Sequence, residues 1–66
     1  MKFLETEDGR FISAEKLLEL GVEVENGTWY IRAVLEGRRE YALAPGSYDT
    51  FEAAEKFLTS LLDQLL

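Results

Sequence analysis

The feature that most constrains this chain is the pair Asn26-Gly27, which lies between two alternating apolar runs, LLELGVEVE and TWYIRAVL. Both central residues of a type I′ turn need positive φ angles, which asparagine and glycine tolerate, so the pair predicts a tight β-hairpin. With Glu25 opposite Thr28, the cross-strand partners on one face are all apolar: Val24 with Trp29, Val22 with Ile31, Leu20 with Ala33, and Leu18 with Leu35. A slip of one residue would place glutamates on that face, so the pattern specifies the register.

Shorter elements are predicted before this hairpin. Residues 2–6 and residues 11–12 flank a turn at Asp8-Gly9 and resemble short strands. Residues 13–16 favour one helical turn with Ser13 as its cap. The following LLEL could extend that turn, but its alternation with Val22 favours a strand.

A second reversal at residues 36–39 leads into a last strand over residues 40–44, which Pro45 ends. An odd number of loop residues would place Tyr41 and Leu43 on the core face, and an even number would place Ala42 and Ala44 there. We favour the odd count, because two alanines would fill the inner surface poorly. This strand is also a candidate sheet edge that could receive another strand.

Residues 51–66 have the apolar period of an amphipathic helix. Two caps compete at its start: Asp49 with Glu52 as a capping box, or Thr50. Together the elements predict an α+β fold in a single domain spanning residues 1–66. Its core would be an antiparallel β-meander of four to five short strands, with one C-terminal α-helix packed across one face.

Self-association is expected from the size of the chain. A domain of 66 residues without cysteine or histidine has neither disulfides nor a structural zinc to stabilise it. The helix carries a wide apolar arc, and a homodimer could form through a strip of four leucines, Leu58, Leu62, Leu65 and Leu66. The alternative is that the helix lies deep across a curved sheet and that its last turn frays.

The residues that usually carry catalysis are missing. Without histidine or cysteine the chain lacks the commonest general base, the thiolate nucleophile and the commonest transition-metal ligands. The acidic first turn, with Glu5, Glu7 and Asp8, does not have the spacing of an EF-hand loop. The sequence therefore predicts no enzyme, no catalytic residue, no cofactor and no metal site.

The charge favours a protein partner over nucleic acid. Seven basic residues against thirteen acidic residues leave a net charge of −6, which repels a phosphate backbone. The chain has no apolar run long enough for a membrane segment or a signal peptide, so a cytoplasmic protein without a membrane partner is expected. On the outer face of the hairpin, Tyr30, Arg32 and Val34 lie among glutamates, a mixed surface typical of a partner-binding face.

Two functions are consistent with these features. The first is a small protein-interaction module, an adaptor or regulator. The second is an acidic inhibitor of a nucleic-acid enzyme that imitates a row of phosphates.

The layout also resembles short uncharacterised bacterial and phage proteins. The similarity lies in FISAEKL after a first hairpin, in GTWYIRAVLEGRREYAL as a tryptophan-centred hairpin and in YDTFEAAEKFL at the helix start. It implies a β-meander followed by one C-terminal helix and implies no catalytic residue.

Overall fold

The computed structural model describes residues 2–65 and contains five strands and one α-helix. Their bounds in chain order are β1 Phe3–Glu5, β2 Phe11–Ser13, β3 Leu17–Glu25, β4 Thr28–Leu35, β5 Arg39–Ala42 and α1 Phe51–Leu65. Strands β1 and β2 form an antiparallel pair, and β3, β4 and β5 form an antiparallel sheet with β4 in the middle. The predicted α+β fold with one C-terminal helix is confirmed, with the strands divided between these two sheets.

The central hairpin has the predicted turn and, over most of its length, the predicted register. Asn26 and Gly27 both have positive φ, 52° and 78°. Val24 pairs with Trp29, Val22 with Ile31 and Leu20 with Ala33.

The predicted pairing of Leu18 with Leu35 is wrong, because the register shifts between Leu17 and Glu19. A β-bulge there leaves Leu18 unpaired and 63% exposed, while Leu17 pairs with Leu35 and packs against the core. The extra residue puts Leu17 on the core face in place of Leu18, so the alternation placed Leu18 on the wrong face.

The loop between β4 and β5 has the odd length that the sequence favoured. Leu35 pairs with Arg39 and Ala33 with Tyr41 across residues 36–38. Tyr41 packs against the core, and Leu43 is 2% exposed. The last strand is shorter than predicted and ends at Ala42.

A buried threonine stabilises the turn between β1 and β2. Thr6 is 1% exposed, and its Oγ1 accepts a hydrogen bond from Arg10 N at 3.0 Å and donates one to Asp8 Oδ1. The chain then forms a single 3-10 turn over Ala14–Lys16, where Ser13 Oγ accepts from Glu15 N at 3.3 Å. The predicted helical turn and its serine cap are therefore confirmed, as is the strand that follows them.

Thr50, and not Asp49, caps the helix. Thr50 Oγ1 accepts a hydrogen bond from Ala53 N at 3.2 Å, and its carbonyl accepts one from Ala54 N at 3.3 Å. The third helical residue is therefore Ala53, so the capping box predicted between Asp49 and Glu52 is wrong.

The core lies between the sheets and the helix. Its buried apolar side chains are Leu4, Ile12, Ile31, Ala33, Leu35 and Leu43. The helix contributes Ala54, which is fully buried, and three leucines that pack against this cluster, Leu58, Leu61 and Leu65. At the far end of the helix, Lys2 Nζ donates to the carbonyl of Gln64 beside the first strand.

Candidate functional site

The outer face of the three-stranded sheet is centred on Arg32. Side chains alternate along β4, so Ile31 and Ala33 are buried in the core while Tyr30, Arg32 and Val34 lie on the opposite face. The direct neighbours of Arg32 are Gly21 on β3 and Ala42 on β5. Because these neighbours are so small, they leave space above the sheet for the guanidinium.

Three glutamates converge on this guanidinium. Arg32 Nη1 donates to Glu40 Oε1 at 2.7 Å, and Nη2 lies 3.3 Å from Glu19 Oε1 and 3.9 Å from Glu23 Oε2. The hydrogen bond to Glu40, and next the charge of Glu23, raises the pKa of Arg32 above its ordinary value against the opposing effect of desolvation. The cation therefore ties β4 to both neighbouring strands and is held in one place.

An open concavity of about 540 Å³ lies beside this network. It is lined by side chains of the sheet and by residues of three connecting segments: Glu7, Glu25, Asn26, Thr28, Tyr30, Arg32, Glu40, Tyr41, Ala42, Gly46 and Ser47. Its charged members are three glutamates and one arginine, so the lining is acidic. Such a surface suits a cationic side chain, because carboxylates and the faces of tyrosine rings both attract ammonium and guanidinium groups.

Two parts of this lining were not anticipated from the sequence. Glu7 and Gly46 meet because Thr6 and Leu43 form an isolated β-bridge that joins the first hairpin to the end of β5. A Cβ atom on Gly46 would lie 3.0 Å from Glu7 Cγ, so the close approach suits glycine. No short-range pattern marks this bridge, since it joins residues far apart in the chain.

The three residues predicted for partner binding lie on one face. Tyr30 and Arg32 line the concavity, and Val34 lies on the same face between Glu19 and Glu40, its cross-strand partners. The structure thus brings the predicted residues together around the arginine.

The predicted self-association strip is not continuous on the surface. Leu58 and Leu65 pack against the core, whereas Leu62 is 43% exposed. Leu66 lies outside the described residues. Leu58 and Leu65 are therefore partly covered by the protein itself, and self-association through this strip stays a prediction.

Other apolar side chains are exposed on β3 and on the helix. Val24 and Phe51 are 51% and 39% exposed, and Phe51 makes an edge-to-face contact with Trp29 at a ring-centroid distance of 5.3 Å. Phe3 and Phe57 border a second crevice, of about 220 Å³, between β1 and the helix.

The acidic first turn has a structural explanation. Asp8 Oδ1 accepts a hydrogen bond from the Thr6 hydroxyl, and Asp8 Oδ2 lies 3.3 Å from Arg10 Nε. The hydrogen bond from Thr6, helped by the positive charge of Arg10, lowers the pKa of Asp8 although desolvation opposes it. Over residues 2–65, no three acidic side chains are grouped so that they could hold a metal ion.

Comparison of the chain with protein-family models, with curated proteins and with solved structures finds no match. Within the described part of the chain, no helix has the length and apolar character needed to cross a membrane.

Proposed function

We propose that this protein is a small protein-interaction module that works by binding and not by catalysis, with the outer face of the β3–β5 sheet as its binding surface. The observation that carries the proposal is the arginine network beside an acidic, tyrosine-lined concavity. Three glutamates hold the Arg32 guanidinium before any partner arrives, so little of its side-chain entropy is lost on binding.

The composition of this face supports a protein partner. Tyrosine and arginine are the residue types most enriched at interface hot spots, and here Tyr30 and Arg32 are adjacent along one face of β4. The glutamates in the lining favour a partner with positively charged side chains. We place this activity in the cytoplasm, in keeping with the expectation from the sequence.

Site-specific crosslinking tests the proposal. A photo-reactive p-benzoylphenylalanine in place of Tyr30 should give one discrete adduct in cells of the source organism, whereas the same group in place of Glu55, exposed on the helix, should not. With the captured protein purified, Tyr30→Ala should weaken binding by about 2 kcal/mol or more, and Thr59→Ala should leave it unchanged. Equal adducts from both positions would contradict the proposal.

Self-association through the helix stays a prediction, and the 43% exposure of Leu62 makes this residue the one to test first. Sedimentation velocity on the wild type and on Leu62→Glu tests it. A concentration-dependent dimer that Leu62→Glu abolishes would support it. A single species near 7.5 kDa in both would contradict it.

The alternative of a nucleic-acid mimic has weaker support. A phosphate mimic needs carboxylates spaced in a row along one surface, whereas Glu19, Glu23 and Glu40 all converge on one arginine. The network stays acidic, because three carboxylates face one guanidinium, but its negative charges meet at one point and do not imitate a row of phosphates.

A further inference from the structure

Over residues 2–65, the longest open edge of the three-stranded sheet is β3. The last strand was the edge expected to be free, but the first hairpin covers its end. Glu7 N donates to Ala42 O at 2.8 Å and Ala44 N donates to Glu5 O at 3.0 Å. Strand β3 is the opposite outer strand of the sheet, and it is nine residues long.

The hydrogen bonds of β4 identify which groups of β3 point outward. Trp29 directs its N–H and C=O to Tyr48, and Ile31 O accepts from Leu43 N, so both residues face away from β3. In an antiparallel pair, opposite residues either both exchange hydrogen bonds or both face away from each other. The backbone groups of Leu20, Val22 and Val24 therefore point off the sheet, and residues 2–65 supply no backbone partner for them.

The side chains along this edge alternate in character. Glu19, Glu23 and Glu25 lie on the outer face, while Leu20, Val22 and Val24 lie on the inner face, where Val24 is 51% exposed. A strand added at this edge would place alternate residues opposite Glu19, Gly21, Glu23 and Glu25, three of which are glutamates, and the others beside apolar surface.

A second copy of β3 does not fit this pattern. Antiparallel pairing of two copies about Val22 places Glu19 directly opposite Glu25. Moving the pairing to the next register on either side places Glu19 opposite Glu23, or Glu23 opposite itself. Like charges directly opposite one another destabilise a strand pair, so the edge disfavours its own copy.

We propose that the open edge of β3 receives an extended segment of the partner protein in which lysine or arginine alternates with apolar residues. This proposal rests on the proposed function and adds the mode of binding: the segment becomes a fourth strand of the sheet. Backbone hydrogen bonds to Leu20, Val22 and Val24 would provide affinity. The basic side chains of the bound segment would face the glutamates on the outer face of β3.

The test adds a synthetic peptide, in which lysine and valine alternate, to the full chain. Amide hydrogen exchange of the protein is then measured with and without the peptide. In the free protein, the amides of Leu20, Val22 and Val24 should exchange quickly, and those of Gly21 and Glu23, bonded to β4, slowly. The peptide should slow exchange at the first three by about tenfold or more. A peptide of the same composition without alternation should not.

Two changes separate strand addition from simple charge attraction. Methylating the peptide nitrogens that face β3 should weaken binding by about tenfold, since it removes donors and keeps every charge. Val24→Pro removes an outward N–H without removing a bond to β4 and should weaken binding similarly, whereas the matched Val24→Thr should bind nearly as well as the wild type. The methylated peptide tests strand addition even if Val24→Pro fails to fold.

Three results would overturn the inference. In the first, the alternating peptide fails to bind; in the second, the methylated peptide binds as well as its parent. In the third, the peptide perturbs Tyr30 and Ser47 in the concavity but leaves the β3 amides unprotected. This third result would leave the proposed function standing, because the binding face would be right and only the edge wrong. Crosslinking from position 30 decides the proposed function separately.

Discussion

Arg32 and Glu40 are joined across β4 and β5 by a hydrogen bond of 2.7 Å between Nη1 and Oε1, although neither residue is the direct cross-strand partner of the other. The contact is diagonal, because Arg32 pairs with Ala42 and Glu40 pairs with Val34. The Arg32 side chain therefore extends over Ala42, and its second terminal nitrogen, Nη2, lies near Glu19 and Glu23.

Replacing Arg32 with methionine should destabilise the protein, because three glutamates would then face one another without a cation. We expect a lower melting temperature by circular dichroism. The double variant with Glu40→Gln should lose less than the sum of the two single changes, since the charges act as one network. If the loss of stability in the double variant equals the sum of the two single losses, Arg32 and Glu40 do not interact and the network interpretation is wrong.

Replacing Tyr48 with phenylalanine should leave stability unchanged or raise it by up to about 1 kcal/mol, because the Tyr48 hydroxyl is buried without a protein hydrogen-bond partner. Burial also raises the pKa of Tyr48 above its ordinary value of 10.0. Because the pKa is higher in the folded state, the protein keeps its full stability below the ordinary pKa of tyrosine. It loses stability as the pH rises from that ordinary value through the folded-state pKa. Chemical denaturation should therefore show an alkaline loss in the wild type that Tyr48→Phe reduces. A clear loss of stability at neutral pH would mean that the hydroxyl has a partner in solution.

Replacing Asp8 with asparagine should flatten the acid side of the stability profile. The pKa of Asp8 is lowered from its ordinary value of 3.8, first by the hydrogen bond from Thr6. A lowered pKa gives stability that is present above the ordinary value and is lost as the pH falls towards the folded-state pKa. Urea unfolding below pH 4 should show a smaller pH dependence in Asp8→Asn than in the wild type. Asp63→Asn, which removes an exposed carboxylate from the helix, is the matched control and should keep the wild-type slope.

Replacing helix leucines with alanine should lower the free energy of unfolding more at a leucine that packs against the core than at an exposed one. Leu58→Ala should cost about 2 to 3 kcal/mol, because the side chain packs against the core cluster. Leu62→Ala should cost less than about 1 kcal/mol, because its side chain is 43% exposed. Equilibrium unfolding at low protein concentration checks both. Equal losses would place Leu62 in an interface or in the core.

Local patterns predicted the parts of the fold that depend on neighbours in the chain. The turn residues and the alternation in residues 20–33 specified the register of the central hairpin. The same reasoning placed Tyr41 and Leu43 in the core, because a slip would have left two alanines to fill it. For the outer face, it placed Tyr30, Arg32 and Val34 on one side of the sheet.

The remaining features depend on contacts between distant residues. The bulge at Leu18 places Leu17 in the core and Leu18 in solvent, and alternation alone does not distinguish these two leucines. Asp49 and Thr50 are both good caps by residue type, and only the path of the chain into the helix decides between them.

By itself, the sequence determined the central hairpin, the terminal helix and the mixed character of the sheet's outer face, because residue types and their spacing act over a few positions. Only the tertiary structure decided that the first hairpin covers the end of β5, which helix leucines are partly covered, and that Glu7 and Ser47 meet Tyr30 around one concavity. The covered end of β5 and the concavity follow from how the first hairpin docks against that strand. That docking joins Thr6 to Leu43, which no short-range pattern encodes.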